Sequence, residues 1–226
     1  MAISKIILGV VLVIVIYLVY KWFFASKKSK SLVSLHNAKS AHRIGANRLG
    51  KSTQSYSYSI WMAVEDWNYR FGEKKVVFSR TQGGVVGPQL SLGAQENSLA
   101  VEIGTFPGGA PEKCEVANVP LQRWVNVIIV LHNKALDVYV DGKLVKTCIM
   151  EGVPKIASTA PIFLCPDGGF AGSVSNFRFF NHALNPREAY EIYREGYSGA
   201  NLSFLEKYRI KLAFMKNNHE IGSLEI

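Results

Sequence analysis

ALDVYVDGKLVKTC, residues 135 to 148, alternates apolar and polar side chains, turns at Asp141-Gly142, and then alternates again. Alternation with a period of two is the pattern of a β-strand that buries one face. Asp141-Gly142 supplies the positive φ values that a two-residue type I′ turn requires. The stretch therefore predicts a β-hairpin, and it belongs to a chain that begins with a long apolar segment.

The strand pattern continues on both sides of this hairpin. In SYSYSIWMAV, residues 55–64, the alternate positions Tyr56, Tyr58, Ile60, Met62 and Val64 share one face. Further short strands, each bounded by Gly, Pro or Asn clusters, are predicted at 75–79, 89–92, 99–104, 124–131, 161–164 and 173–180. Many short strands at regular spacing predict an all-β fold, a sandwich of two antiparallel sheets.

One short helix interrupts the strands at NHALNPREAYEIYREG, residues 181–196. Asn185 fits the N-cap, Pro186 fits the first helical position, and Glu188 completes a capping box. The last stretch, KYRIKLAFMKNNHEIGSLEI, is predicted to form two strands on either side of Asn217-Asn218.

The N-terminus has the pattern of a membrane anchor. The run from Ile6 to Tyr20 is apolar, and a helix continued through Trp22 to Phe24, with Lys21 reaching the headgroups, has about the length of a thin bilayer. A cleaved signal peptide is the alternative, but no small-x-small cleavage site follows cleanly. The sequence therefore predicts a single transmembrane helix.

The net charge of +9 is concentrated beside this anchor. Residues 1–64 hold nine of the 26 Lys and Arg residues and no acid, whereas residues 65–226 hold 17 cations and 17 acids. A basic segment next to an anchor favours anionic lipid headgroups, and the neutral remainder disfavours nucleic acid as a partner. The excess of Lys after the apolar run predicts that the N-terminus is outside or lumenal and the domain cytosolic.

The three cysteines, Cys114, Cys148 and Cys165, lack CxxC spacing, which argues against a zinc site and against a disulfide framework. We expect buried thiols, with one cross-strand disulfide as the alternative if the domain faces an oxidising space. The predicted organisation is an anchor at 1–24, a basic Ser-rich stalk at 25–45, a β-sandwich at 46–200 and a C-terminal hairpin extension at 201–226.

Three segments together resemble a known family. They are YSYSIWMAVEDWNYRFGEKKVVFSR, VPLQRWVNVIIVLHNKALDVYVDGKLV and FAGSVSNFRFFNHALNPREAYEIYREG. Their order is similar to that of the laminin-G-like branch of the concanavalin A-like lectin/glucanase superfamily, over residues 50 to 197. This resemblance implies a two-sheet antiparallel jelly roll. The EDWNYRFGEKKVVFSR variant behind a short anchor also resembles proteins encoded by large DNA viruses, including those that infect algae.

The superfamily includes enzymes, lectins and interaction modules, so the residues must decide the function. Retaining glucanases of this superfamily take two carboxylates from an ExDxxE motif, which is absent from this sequence. Glu65 and Asp66 are adjacent, so in a strand they point to opposite faces, and they are better placed to cap the following loop. We therefore expect no enzymatic activity.

The loop after that strand carries the candidate ligand-binding residues, Trp67, Asn68, Tyr69 and Arg70, which offer aromatic faces beside polar groups to a glycan. The alternative is that Trp67 and Phe71 fold back over the edge of the sandwich. Asp167 in CPDGGF is a weak calcium candidate, since one carboxylate falls short of the six to eight oxygens that calcium takes. We otherwise expect no cofactor.

These observations predict a membrane-tethered interaction module without catalytic activity. The resemblance to viral proteins implies a virion membrane or minor capsid component, whose partners are a lipid bilayer and neighbouring proteins such as capsid proteins. The alternative is a membrane-bound lectin whose partner is a glycan.

Overall fold

The computed structural model describes residues 31–49 and 54–198, the backbone of strands at 211–216 and 219–225, and four helical positions near the N-terminus. The chain divides into two compact units, Met1–Lys30 and Ser31–Ile226. The predicted anchor from Ile6 to Phe24 lies outside the described residues, apart from the exposed positions Leu12, Ile14, Val15 and Tyr17. No helix within the described part of the chain is long and apolar enough to span a bilayer.

The described strands, in chain order, are β1 (Val33–Asn37), β2 (His42–Ile44), β3 (Ser55–Asp66), β4 (Lys75–Gln82), β5 (Val85–Leu92), β6 (Leu99–Ile103), β7 (Thr105–Phe106), β8 (Glu112–Val116), β9 (Trp124–His132), β10 (Ala135–Val140), β11 (Lys143–Ile149), β12 (Val153–Pro154), β13 (Ile162–Leu164), β14 (Ala171–Phe180), β15 (Lys211–Lys216) and β16 (His219–Glu225). The helix that follows β14, α1, spans Pro186–Glu195.

Two six-stranded sheets form the sandwich. The first has the order β1-β14-β3-β9-β10-β11 and the second the order β2-β13-β4-β5-β6-β8. The pairings within both sheets are antiparallel. The predicted all-β sandwich, consistent with a jelly roll, is confirmed. The predicted hairpin is also confirmed, since Val140 pairs with Lys143 and both Asp141 and Gly142 have positive φ.

Strand β3 runs through the middle of the first sheet and shows how the core is built. Its predicted apolar face, from Tyr56 to Val64, is buried against the second sheet. Its opposite face is also buried, because α1 packs over it. Trp61 stacks on Tyr193 of α1 with ring centroids 5.7 Å apart. The small Ser57 and Ser59 leave room for the α1 layer, in which Ala189 and Ile192 contact the sheet.

The capping residues that the sequence predicts define the start of α1. The Asn185 side chain accepts a hydrogen bond from the backbone N–H of Glu188 at 2.9 Å, and the Glu188 carboxylate accepts one from the Asn185 N–H at 2.8 Å. This reciprocal pair satisfies two N–H groups that the first turn of a helix otherwise leaves without partners. The C-terminal prediction is confirmed as well, because β15 and β16 pair antiparallel.

Arg80 is a charged side chain inside the sandwich. It is 1% exposed, and its guanidinium donates to the Tyr58 hydroxyl at 3.0 Å, the Ser158 carbonyl at 2.7 Å and the Ala160 carbonyl at 3.2 Å. A buried charge is tolerated when it is fully hydrogen-bonded, and these donors tie the loop before β13 to the core. Burial, partly offset by the nearby Arg80, raises the pKa of Tyr58 to about 12.

The sandwich begins earlier than predicted. The segment 25–45 was expected to be a stalk, but β1 and β2 lie within it, and Ala38 and Ile44 are completely buried. The two strands are short and occupy the edges of their sheets, and half of their side chains are exposed. Their composition therefore resembles that of a tether, and the prediction of a stalk as far as residue 45 is wrong.

The cysteines also differ from the main expectation. Cys114 of β8 and Cys148 of β11 form a disulfide with Cα atoms 6.0 Å apart, and Cys165 is free and buried. Strands β8 and β11 are the last strands of the two sheets, so the disulfide ties the sheets together along one side. On the other side the chain itself crosses between the sheets, from β1 to β2.

Candidate binding surface

Trp67 leaves the end of β3 and folds back over the sandwich, as the alternative prediction had it. Its ring is half-buried against the core, and its indole N–H donates to the Gln95 carbonyl at 3.2 Å. Asp66 caps the turn, since its carboxylate accepts the N–H of Asn68 at 2.9 Å. Phe71 does not fold back, because 58% of it is exposed, so that part of the alternative is wrong.

A buried cation lies against this tryptophan. The Lys75 ammonium is 4.7 Å from the centroid of the Trp67 ring, and it has no hydrogen-bond partner among the described residues. Burial, followed by repulsion from Arg70, lowers the pKa of Lys75. The attraction between the ammonium and the ring therefore holds Trp67 in position at the end of the sandwich.

Tyr69 and Arg70 form a latch between two loops. The Tyr69 hydroxyl donates to the Gly168 carbonyl at 3.2 Å, and the Arg70 guanidinium donates to the carbonyls of Asp167 and Gly169. Arg70 also forms an ion pair with Glu73 at 2.8 Å. These donors are committed to structural bonds. Of the other two predicted residues, Asn68 is exposed, and the half-buried Trp67 keeps part of its ring accessible although its indole N–H is bonded to Gln95.

A cleft of about 410 Å³ opens beside Trp67. Two loops that the sequence reasoning missed supply its other walls, and the lining residues are Gln95, Glu96, Asn97, Ser98, Ala117, Asn118 and Leu121. The volume lies within the range of roughly 300 to 1,000 Å³ that is typical of small-ligand sites. One aromatic face, three amides, one hydroxyl and one carboxylate make it a surface for a polar ligand with some apolar area.

The two missed loops are fixed to each other. The Asn97 side chain donates to the Val119 carbonyl at 3.2 Å, and the Val119 N–H donates to the Asn97 carbonyl at 2.8 Å. Asn118 adopts a φ of 58°, a conformation that asparagine tolerates better than most residues. The cleft is therefore formed before any ligand arrives, which lowers the entropy cost of binding.

The sequence profile described as the concanavalin A-like lectin/glucanases superfamily, of the Laminin_G_3 type, matches residues 36–189. The chain belongs to this superfamily. The match includes nearly all of the sandwich and the first turn of α1, so the family assignment and the observed fold agree. No curated protein sequence matches this concanavalin A-like chain.

Solved structures of similar fold are binding domains of botulinum neurotoxins. The serotype G binding domain has a TM-score of 0.55 at 11% identity, over 72% of this chain and 46% of that chain. The serotype DC binding domain, in complex with rat synaptotagmin II, has a TM-score of 0.53 at 14% identity, over 63% of this chain and 36% of that chain. The mosaic serotype C/D receptor-binding domain has a TM-score of 0.54 at 11% identity, over 72% of this chain and 45% of that chain. The concanavalin A-like chain spans less than half of each, and at these identities the likeness shows the fold alone.

Two acidic side chains of the predicted loop are accounted for in this concanavalin A-like domain. Asp66 caps the turn, and Glu65 beside it is exposed at a register shift between β3 and β14. The Asp167 carbonyl accepts from Arg70, so a cation already lies where calcium would need oxygen ligands. No group of three His, Cys, Asp or Glu residues that could hold a metal occurs in the described part of the chain. Calcium at Asp167 stays a prediction, and this arrangement disfavours it.

Proposed function

We propose that the chain is a non-enzymatic interaction module, tethered to a bilayer by its N-terminal segment, whose sandwich binds neighbouring proteins. The observation that carries the proposal is the preformed cleft beside Trp67, which presents hydrogen-bonding groups around one aromatic face. The basic flank of the apolar segment supports the tether. The resemblance to viral proteins supports the more specific role, a virion membrane or minor capsid component that links the bilayer to capsid proteins.

The lack of catalysis is part of the same proposal. Hydrolysis of a glycoside by retention needs two carboxyl groups about 5 Å apart around one bond. Glu96 is the one carboxylate of the cleft lining, and the loop-capping role of Asp66 removes the other nearby candidate. Release of reducing sugar from β-glucans incubated with the full chain should stay at background. Turnover that Glu96→Gln abolishes would contradict the proposal.

The second candidate function is glycan binding, and the composition of the cleft favours it. Sugars pack a ring face on an aromatic side chain while amides and carboxylates bind their hydroxyls, and Trp67, Asn97 and Glu96 offer such groups. This candidate uses the same surface as the first. The two differ in whether the occupant is a polar protein loop or a sugar.

A glycan array probed with the full chain in neutral detergent separates the two candidates. Specific signals that Trp67→Phe and Asn118→Ala both reduce, and that Phe71→Ala does not, would establish the lectin function. Phe71 is the matched control because it belongs to the same loop and does not line the cleft. A blank array, together with crosslinks from a photoreactive side chain at Asn118 to a neighbouring protein, would establish the protein-binding function.

The tether is tested by extraction at high pH. Carbonate removes peripheral proteins from membranes but leaves a spanning helix in place. We expect the full chain to stay in the pellet, and a variant lacking residues 1–24 to appear in the supernatant. Release of the full chain would contradict the tether and leave the binding function open.

Two observations bear on the side of the membrane. The Lys residues that follow the apolar run favour a cytosolic domain, whereas a stable disulfide such as Cys114–Cys148 is typical of oxidising spaces. We propose that the domain is made on the cytosolic side and that the disulfide forms after the protein leaves the cell in a particle. Added protease should then digest the domain in intact microsomes. Asn201-Leu202-Ser203 is an N-glycosylation sequon, which is modified only in the secretory lumen. Protease protection, together with a glycosidase-sensitive mass shift that Asn201→Gln removes, would contradict this placement.

A further inference from the structure

Strand β11 is an open edge of the sandwich. It ends the order of the first sheet, and no strand among the described residues pairs with its outer side. With seven residues it is longer than the other three terminal strands, which have five, three and five. Six of its seven side chains are exposed. A free strand edge carries unpaired N–H and C=O groups that can bind another extended chain.

Half of the exposed side chains of this edge are apolar. Leu144, Val145 and Ile149 are each about half exposed or more. Val153 and Phe106, which pair with each other shortly after β11 in the chain, are also about half exposed. Single apolar side chains are normal on a protein surface, but several of them on one free edge strand are a candidate interaction site.

A small groove runs between β11 and the facing edge strand β8. Its volume is about 260 Å³, and it is lined by Glu115, Val116, Ala117, Asn118, Val119, Val140, Val145 and Lys146. This is smaller than the roughly 300 to 1,000 Å³ of most small-molecule sites, and it suits an aliphatic side chain. The disulfide between Cys114 and Cys148 joins the same two strands, so the groove has a fixed width before binding.

The charges at this edge select the occupant. Lys143 and Lys146 are exposed and form no ion pair within the described part of the chain, whereas Glu115 on the facing strand is paired with Lys113. A second copy of β11 laid antiparallel on the first would bring these lysines close together, which is unfavourable. An extended segment with acidic side chains would instead meet them with the opposite charge.

We propose that β11 is a docking edge for an extended, acidic and aliphatic segment of a partner protein. The segment adds as a further strand of the first sheet, its carboxylates meet Lys143 and Lys146, and one aliphatic side chain enters the groove beside Val145. This proposal rests on the proposed protein-binding function. The groove shares Ala117 and Asn118 with the Trp67 cleft, but β11 and its lysines do not line that cleft.

The test uses the full chain in neutral detergent at about 0.15 M salt and a short labelled peptide in which glutamate and valine alternate. We expect a saturable rise in fluorescence anisotropy, and roughly fivefold weaker binding to Lys146→Glu. Arg43→Glu on β2 is the matched control, since it reverses one exposed charge on the opposite edge of the sandwich and should change little beyond the screening length of about 8 Å. Val145→Asp should weaken binding through the groove.

Backbone pairing has its own control, which is the same peptide with alternate amides N-methylated. It keeps the charges but loses the N–H donors, so it should not bind. The proposal is overturned if the acidic peptide does not bind, if the N-methylated peptide or a lysine–valine peptide binds equally well, or if Lys146→Glu and Arg43→Glu weaken binding to the same extent. Trp67→Phe should leave peptide binding unchanged, so failure here and failure at the cleft are distinguishable.

Discussion

Loss of the Cys114–Cys148 disulfide should lower the stability of the sandwich by an amount that follows from its position. The bond closes a loop of 34 residues, for which the chain-entropy relation gives about 4 kcal/mol at 25 °C. For a domain of this size, each kcal/mol corresponds to roughly 2–4 °C in Tm, so we expect a decrease of about 8–15 °C. Circular dichroism of the full chain in detergent, for the protein and for Cys114→Ser/Cys148→Ser, measures this decrease.

Two controls isolate the bond itself. A phosphine reductant should lower the Tm of the protein purified in air and leave that of the double variant unchanged. Thiol titration after denaturation without reductant should find one reactive thiol per chain, from Cys165, and three after reduction. The native protein should react slowly, because burial raises the pKa of the Cys165 thiol to about 12. Three reactive thiols without reductant, or an unchanged Tm on reduction, would refute the reasoning.

Three further predictions concern buried or capping groups, and urea unfolding measures each. Arg80→Met leaves the Tyr58 hydroxyl and two carbonyls without donors and should cost about 2–4 kcal/mol, whereas Arg187→Met at an exposed position should cost almost nothing. Asn185→Ala removes the capping box and should cost about 1 kcal/mol, and an unchanged midpoint would show that α1 is held by packing alone. Burial alone would raise the pKa of Glu112, but hydrogen bonds from Gly152, Thr105 and Glu151 lower it overall. The contribution of the Glu112 carboxylate to the free energy of unfolding should therefore be complete above the unfolded pKa of about 4.3 and be lost as the pH falls through the folded pKa. We expect the free energies of unfolding of Glu112→Gln and of the unchanged protein to differ at pH 7 and to converge near pH 3.

The sandwich was predictable because its signals are local. The alternation in β3, the Asp141-Gly142 turn and the Asn185 capping box each specify their structure within a few residues, and the structure confirms all three. Strands β1 and β2 were not predictable from local pattern. They are short and lie at the edges of sheets, and what buries Ala38 and Ile44 is contact with distant segments.

The candidate site was predictable only in part, for the same physical reason. The sequence drew attention to Trp67, whose aromatic side chain follows a strand end, and the structure places it on a cleft. The rest of the lining comes from residues 95–98 and 117–121, which reach Trp67 only through the pairing of β5, β6 and β8. Nothing in those short stretches distinguishes them from ordinary turns. The pairing of Cys114 with Cys148 could not be predicted from local sequence either, since the disulfide joins the last strands of two different sheets.

Arg70 orders the loops at this end of the sandwich. Carbonyl oxygens that converge at a loop repel one another unless a cation or a donor lies between them. Here the guanidinium donates to the carbonyls of Asp167 and Gly169, while its own charge is balanced by Glu73. Because the cation is a side chain of the protein itself, the latch does not depend on the concentration of a free cation. Because the Trp67 loop is fixed in this way by the chain itself, any ligand that enters the cleft meets a rigid wall, and its affinity depends on the groups that line the cleft.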